Sequence, residues 1–257
     1  MLYYDQYGKE DDGLYTGNYK IASCCVRITS LYENVHRMCH DYRTCEIPEM
    51  EIVVAPEDIE KERQYAAHSA AHENIAPDDY PDAYLETLAV YRQFAEKALA
   101  KHILLFHGSA IAVDGVAYLF TARSGTGKST HTRLWREYFG DRAVMINDDK
   151  PMLSVGADRT LVFGTPWDGK HHLSKNDVAP LKAICVLERS DTNHIVRMQR
   201  EEALPFLLQQ CYRSSVPEHL TMTLALLDRM MGYMHFYRLG CNMDPEAVQV
   251  SFLGMQE

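Results

Sequence analysis

Nine consecutive residues, Ala122-Arg123-Ser124-Gly125-Thr126-Gly127-Lys128-Ser129-Thr130, constrain what this chain can fold into more than any other stretch. Their spacing is that of a loop that cradles phosphate, with Ala122 where a first glycine is usual. Such a loop turns several backbone N–H groups toward one anion, and Gly125 and Gly127 let the chain curl without a Cβ in the way. Lys128 adds a point charge, and Ser129 a hydroxyl able to face a metal ion. The flanks agree with this. Residues 116–121 are an apolar run of strand length that ends at the loop, and residues 130–139 read as a helix with Leu134, Trp135 and Phe139 on its apolar side.

Two further features converge on the loop. Asp114-Gly115 is a two-residue hairpin signal between the strand-like residues 109–113 and 116–121. Pairing Val113 with Val116 sets His107 opposite Ala122, at the mouth of the loop, as a phosphate-facing or a structural histidine. Beyond the helix, Ala143-Val144-Met145-Ile146 reads as a buried strand that ends in Asn147-Asp148-Asp149. In a right-handed strand-helix-strand unit this strand runs parallel to the first, and its carboxyl end reaches the phosphate edge. Asp148 and Asp149 then face Mg²⁺ and the γ-phosphate; the alternative is an exposed acidic turn.

With 257 residues, 46% of them hydrophobic, the chain has material for one large domain or two small ones. A net charge of −10 argues against nucleic-acid backbone or anionic lipid as a partner, so neither nucleic acid nor membrane is expected. No apolar run approaches the ~20 residues of a membrane span, and residues 1–12 lack the basic end and apolar run of a signal peptide. A cytoplasmic protein with its seven cysteines reduced is the expectation; oligomerisation stays open.

Residues 1–20 are polar, and the first expected strand covers residues 20–30, followed by a short helix over 34–42, a strand over 50–55 and a helix over 56–71. The break Pro77-Asp78-Asp79-Tyr80-Pro81 separates an N-terminal accessory α+β region (1–80) from a nucleotide-binding domain (81–257), unless the two form one domain. Helical spacing resumes from Tyr84 to Leu99, and residues 103–107 are strand-like. Residues 161–163 lead into Gly164-Thr165-Pro166-Trp167-Asp168-Gly169-Lys170-His171-His172, a loop dense in turn formers and cations. There Lys170 is a candidate for a second anion or substrate, with Trp167 either beside it or capping the core. Strands at 183–187 and 234–239 and helices at 201–212 and 220–234 complete an α/β pattern. His68 with His72, and His36 with His40 around Cys39, have metal-ligand spacing but no evident third ligand, so zinc is not expected.

Residues 124–130 resemble the phosphate loop of ATP-dependent phosphoenolpyruvate carboxykinases. His107-Gly108, the Asp-Gly turn, the loop and the Asp-Asp pair together resemble the catalytic half of HPr kinase/phosphorylase, over about residues 102–185. The resemblance implies a mixed sheet flanked by helices and built around a P-loop. It implies that residues 123–130 bind ATP, that Lys128 holds the β- and γ-phosphates, that Ser129 and one of Asp148 and Asp149 hold Mg²⁺, and that the other acts on an acceptor hydroxyl. After Asp149 the chain departs from HPr kinases, with Gly164 to Lys170 standing where their second signature lies.

The expected activity is therefore ATP- and Mg²⁺-dependent transfer of phosphate to a hydroxyl of a protein, peptide or small molecule, with Lys128, Asp148, Asp149 and His107 in catalytic positions. The alternative is a non-catalytic ATP-binding regulatory module. The Asp pair favours the enzyme, because binding alone needs only the loop and one metal-holding group.

Overall fold

The protein, described by a computed structural model for residues 8–9, 13–72, 76, 78–169 and 171–256, divides by its contacts into two units, Met1–Lys97 and Ala98–Glu257. In the first, strands β1 (Gly8–Lys9), β2 (Tyr15–Ile21), β3 (Cys24–Ser30) and β4 (Met50–Val53) form a sheet in that order. Helices α1 (Asn34–Met38), α2 (Pro56–His72) and α3 (Asp82–Ala98) complete it. The single strand expected over residues 20–30 is two strands. Ala22 and Ser23, at φ 49° and 68°, turn the chain so that Ile21 pairs with Cys24. Such a turn favours Gly or Asn, and with neither present the flanking apolar runs read as one. His36 is buried and hydrogen-bonds Tyr19 and Ser30, which gives that histidine a structural task.

The second unit is mixed α/β. Its strands are β5 (Ile103–Leu105), β6 (Ser109–Val113), β7 (Val116–Thr121), β8 (Ala143–Asn147), β9 (Met152–Val155), β10 (Thr160–Phe163), β11 (Val178–Arg189), β12 (His194–Arg197) and β13 (His235–Cys241). They form one sheet ordered β5-β9-β10-β11-β7-β6-β8, with β13 on β11 and β12 on β13. Strand β11 runs parallel to β7 and β13, and the remaining pairs are antiparallel. Because β11 starts against β10 and continues against β7 from Leu181, the mixed sheet curls.

Helices α4 (Lys128–Phe139), α5 (Arg200–Gln210), α6 (Pro217–Met231) and α7 (Glu246–Gly254) flank this sheet. Side chains alternate between its faces. Ala110, Ala112, Leu119, Ile184 and Val186 join Leu207, Leu227 and Met230 in one core layer. Ile111, Val113, Tyr118, Phe120, Cys185 and Leu187 join Leu134, Trp135 and Val248 in the other. Burial on both faces explains why these strands read as continuous apolar runs. Strand β5 stops at Leu105, short of the expected His107. Strands β9 and β12 and helix α7 have no expected counterpart; β12 is largely exposed and so lacks an apolar signature.

The turn at Asp114 (φ 51°) and Gly115 (φ 80°) pairs Val113 with Val116 and continues in register to Ser109 opposite Phe120. Strand β8 lies antiparallel to β6, hence in the same direction as β7 with β6 between them. The carboxyl ends of β7 and β8 therefore share an edge. Among the described residues no helix is long and apolar enough to cross a membrane.

Trp135 is fully buried, with ring contacts to Tyr118 and Phe120 that bind α4 to the sheet and to Phe139 of α4 and Phe252 of α7. Trp135→Ala is expected to lower unfolding stability by about 3–5 kcal/mol, read from the shift in denaturant midpoint.

Candidate functional site

The loop leaves β7 at Ala122 and enters α4 at Lys128. Gly125 (φ 73°) and Gly127 (φ 124°) occupy backbone conformations that side-chain-bearing residues avoid, so the curl depends on glycine at both. The Thr126 N–H donates to the Arg123 carbonyl at 3.2 Å, and the guanidinium of Arg189, at the end of β11, donates to the Gly125 carbonyl at 2.6 Å. Ser124 and Ser129 are exposed, and Thr130 is half-buried. Lys128 is half-buried, and its Nζ donates to the Ala122 carbonyl at 3.3 Å. Burial lowers the Lys128 pKa from its ordinary value and nearby Lys150 adds to this, while Asp149 and Asp148 oppose it.

At the end of β8 the two aspartates have different surroundings. Asp148 is 6% exposed and accepts a 2.5 Å hydrogen bond from the Ser109 hydroxyl, which also lies 3.0 Å from Thr132 Oγ1 of α4. Asp149 is half-exposed. Its Oδ1 meets Lys150 Nζ at 3.2 Å and His107 Nε2 at 3.4 Å, and its carbonyl accepts the Gly108 N–H. His107 is fixed from behind by its N–H to the Gln210 carbonyl (2.8 Å) and by its carbonyl to Thr121 Oγ1 (2.9 Å). Burial first, then Lys150 and Lys128, push the His107 pKa down to about 4, against Asp149 and the imidazole's hydrogen bonding to the Gln210 side chain. The imidazole is neutral at pH 7.

The structure thus brings Lys128, Asp148, Asp149 and His107 to one edge of the sheet. Trp167 is buried and its carbonyl accepts from Asn147; Lys170 lies outside the described residues. Five contributors are not singled out by the sequence motif: Ser109, Thr132, Asn147, Lys150 and Gln210. Ser109 was within reach of the hairpin register, and Asn147 begins an Asx turn, accepting the N–H groups of Asp149 and Lys150 at 2.9 and 2.6 Å.

The donor set suits Mg²⁺. A buried carboxylate is costly without a counter-charge, and among the described residues no cation forms an ion pair with Asp148. Mg²⁺ is held by one or two carboxylates together with phosphate oxygens and water, and needs no closed cage. Among the described residues there is no cluster of three or more His, Cys, Asp or Glu suited to a metal.

No family model matches the chain, and no curated protein does. Among solved structures it is similar to the Hpr(Ser) kinase/phosphatase from Coxiella burnetii, at 11% identity over 60% of this chain and 99% of that one, with a TM-score of 0.30.

The causes of the His107 shift have opposite signs, and they give a test. Its NMR titration midpoint is expected well below 6.5. Lys150→Met, removing a cation, moves the midpoint up, and Asp149→Asn, removing an anion, moves it down.

Proposed function

We propose that the chain is an ATP- and Mg²⁺-dependent phosphotransferase that moves the γ-phosphate of ATP to a hydroxyl of a protein, peptide or small molecule. The observation that carries this reading is the shared edge: a glycine-dependent loop with Lys128 at its end, facing two aspartates with different environments. Binding a nucleotide would need only the loop and one carboxylate. A second, half-exposed carboxylate held by Lys150 and His107 is what transfer requires in addition.

In this reading the backbone N–H groups of residues 123–130 and the ammonium of Lys128 hold the β- and γ-phosphates. Asp148 and Ser129 hold Mg²⁺, which when bound neutralises charge on the phosphate oxygens. The acceptor oxygen attacks the γ-phosphorus, the bond from that phosphorus to the β,γ-bridging oxygen breaks, and ADP leaves. Asp149 takes the acceptor's proton. Lys150 lies 3.2 Å from its carboxylate and holds it in place, and a loose transition state asks for little base strength because the proton moves late. Neutral His107 orients the Asp149 carboxylate without adding a full charge.

Lys128→Ala is expected to weaken ATP binding by about 1.5–3 kcal/mol in calorimetry, the size of a charge-assisted contact. Asp149→Asn should keep most of the ATP affinity and lose roughly 10²–10⁴ in transfer rate, since an amide cannot accept the proton. Label from γ-labelled ATP is followed into a lysate of the native cell. Wild type that binds ATP and Mg²⁺ yet labels nothing, and exchanges no phosphate, would behave as the non-catalytic module instead.

A further inference from the structure

A cleft of about 360 Å³ opens where the carboxyl ends of β7 and β11 meet the carboxyl end of α5. Arg123, Arg189 and Thr121 line it from the sheet side, and Phe206, Gln209 and Gln210 close it from α5. It abuts the acidic edge. The Gln210 carbonyl accepts the His107 N–H, Thr121 Oγ1 donates to the His107 carbonyl, and His107 Nε2 lies 3.4 Å from Asp149 Oδ1. One residue, His107, therefore stands between the wall of the cleft and the carboxylate that takes the proton in the proposed transfer.

The charge lining this cleft is opposite in sign to that of the chain. The Arg123 guanidinium is exposed and has no ion-pair or hydrogen-bond partner among the described residues. Arg189 uses one donor on the Gly125 carbonyl, at 2.6 Å, and among the described residues it pairs with no carboxylate. Glu188, the acid beside it, lies 3.4 Å from Arg238, whose guanidinium also meets Glu202 at 2.7 Å and packs over the Phe206 ring. Two guanidinium groups free of carboxylates, in a chain of net charge −10, favour an anion, and the guanidinium fork suits a carboxylate or a phosphate. The volume lies at the small end of the roughly 300–1,000 Å³ usual for small-molecule sites, whereas docking a folded protein takes about 800 Å² of surface on each side.

We propose that this cleft seats the phosphate acceptor, and that the acceptor is a small hydroxyl compound with an anionic group of its own, held by the side chains of Arg123 and Arg189 with its hydroxyl toward His107 and Asp149. The inference rests on the phosphotransferase reading and narrows its acceptor from any hydroxyl to an anionic small molecule. The hydroxyl oxygen bonds to the γ-phosphorus as the bond to the β,γ-bridging oxygen breaks, the hydroxyl proton passes to Asp149, and ADP leaves. The two guanidinium groups also offset the repulsion between the acceptor's charge and the phosphates on the loop.

The test follows label from γ-labelled ATP, with ATP and Mg²⁺ saturating, into the small-molecule filtrate and the protein fraction of a native-cell lysate. Label is expected in the filtrate, in a compound that mass spectrometry shows to carry a carboxylate or a phosphate before transfer. Gln209 is exposed on α5, outside the loop and the acidic edge, and its variants are suited to test the charge of the cleft. With filtrate limiting, Gln209→Glu should slow labelling about two- to fivefold and Gln209→Lys speed it by a similar factor, the size of an exposed charge contact. Opposite signs at one position separate charge from packing. Arg123→Gln should slow labelling at least about tenfold and cost less in ATP affinity, read by calorimetry. Label confined to protein or to an uncharged alcohol, labelling that neither Gln209 variant moves, or an Arg123→Gln loss that falls equally on ATP overturns the acceptor assignment while the phosphotransferase reading stands. Wild type that binds ATP and Mg²⁺ yet labels neither fraction overturns both.

Discussion

The register of the β6–β7 hairpin is the constraint on which the rest of the site depends. Both turn residues sit at positive φ, a conformation open to Gly115 and tolerated by Asp114, and this closes the hairpin in two residues with no slack. A slip of one residue would exchange Ile111 with Ala110 between the two core layers. It would also withdraw the Ser109 hydroxyl from Asp148 and Thr132, the contact that links β6, the end of β8 and α4 at this edge of the sheet. The Arg142–Asp114 ion pair beside the turn is exposed, and pairs of that kind contribute little. Turn geometry and two-sided burial hold the register.

Charge at that edge runs against the charge of the whole. The chain carries a net −10, yet Lys128 and Lys150 are half-buried next to one another near Asp149. Burial makes the Lys128 cation less favourable than in water, and Lys128 is left with a carbonyl oxygen as its described hydrogen-bond partner. In the proposed reading a polyphosphate bound there would offset that cost, while the acidic remainder would disfavour long anionic polymers. In that reading, this contrast between site and surface would favour a small polyanion.

The grouping of the loop and the acidic pair at one sheet edge was largely legible in the sequence because its signals are local. Gly125, Gly127, Lys128 and the Asp114-Gly115 turn each act within a few residues, and the strand ending at Asn147 is a plain apolar run. What stayed hidden depends on pairing at a distance. Ala22 and Ser23 adopt a turn usually given to glycine, and β12 is a short exposed strand whose place comes from β13. His131 reads in sequence as one polar position on an amphipathic helix. Its buried, one-sided hydrogen bonding appears only once α7 brings Ser251 against it.

The turn-rich loop after β10 takes its meaning from Asn147. The Asn147 side-chain amide donates to the Thr165 carbonyl and hydroxyl and to the Trp167 carbonyl, while its oxygen accepts the N–H groups of Asp149 and Lys150. One buried side chain therefore shapes the turn that carries the acidic pair and ties it to the loop above. Close approach of the two backbones is part of that device. A Cβ on Gly164 would lie 2.6 Å from the Ile146 carbonyl oxygen and 1.8 Å from that of Lys175, and one on Gly169 would crowd the Asp148 carbonyl at 3.1 Å. Glycine at 164 lets the loop lie across the end of β8, and Trp167 seals it by burial. The density of Gly, Thr and Pro in this segment thus reflects how the two carboxylates are held.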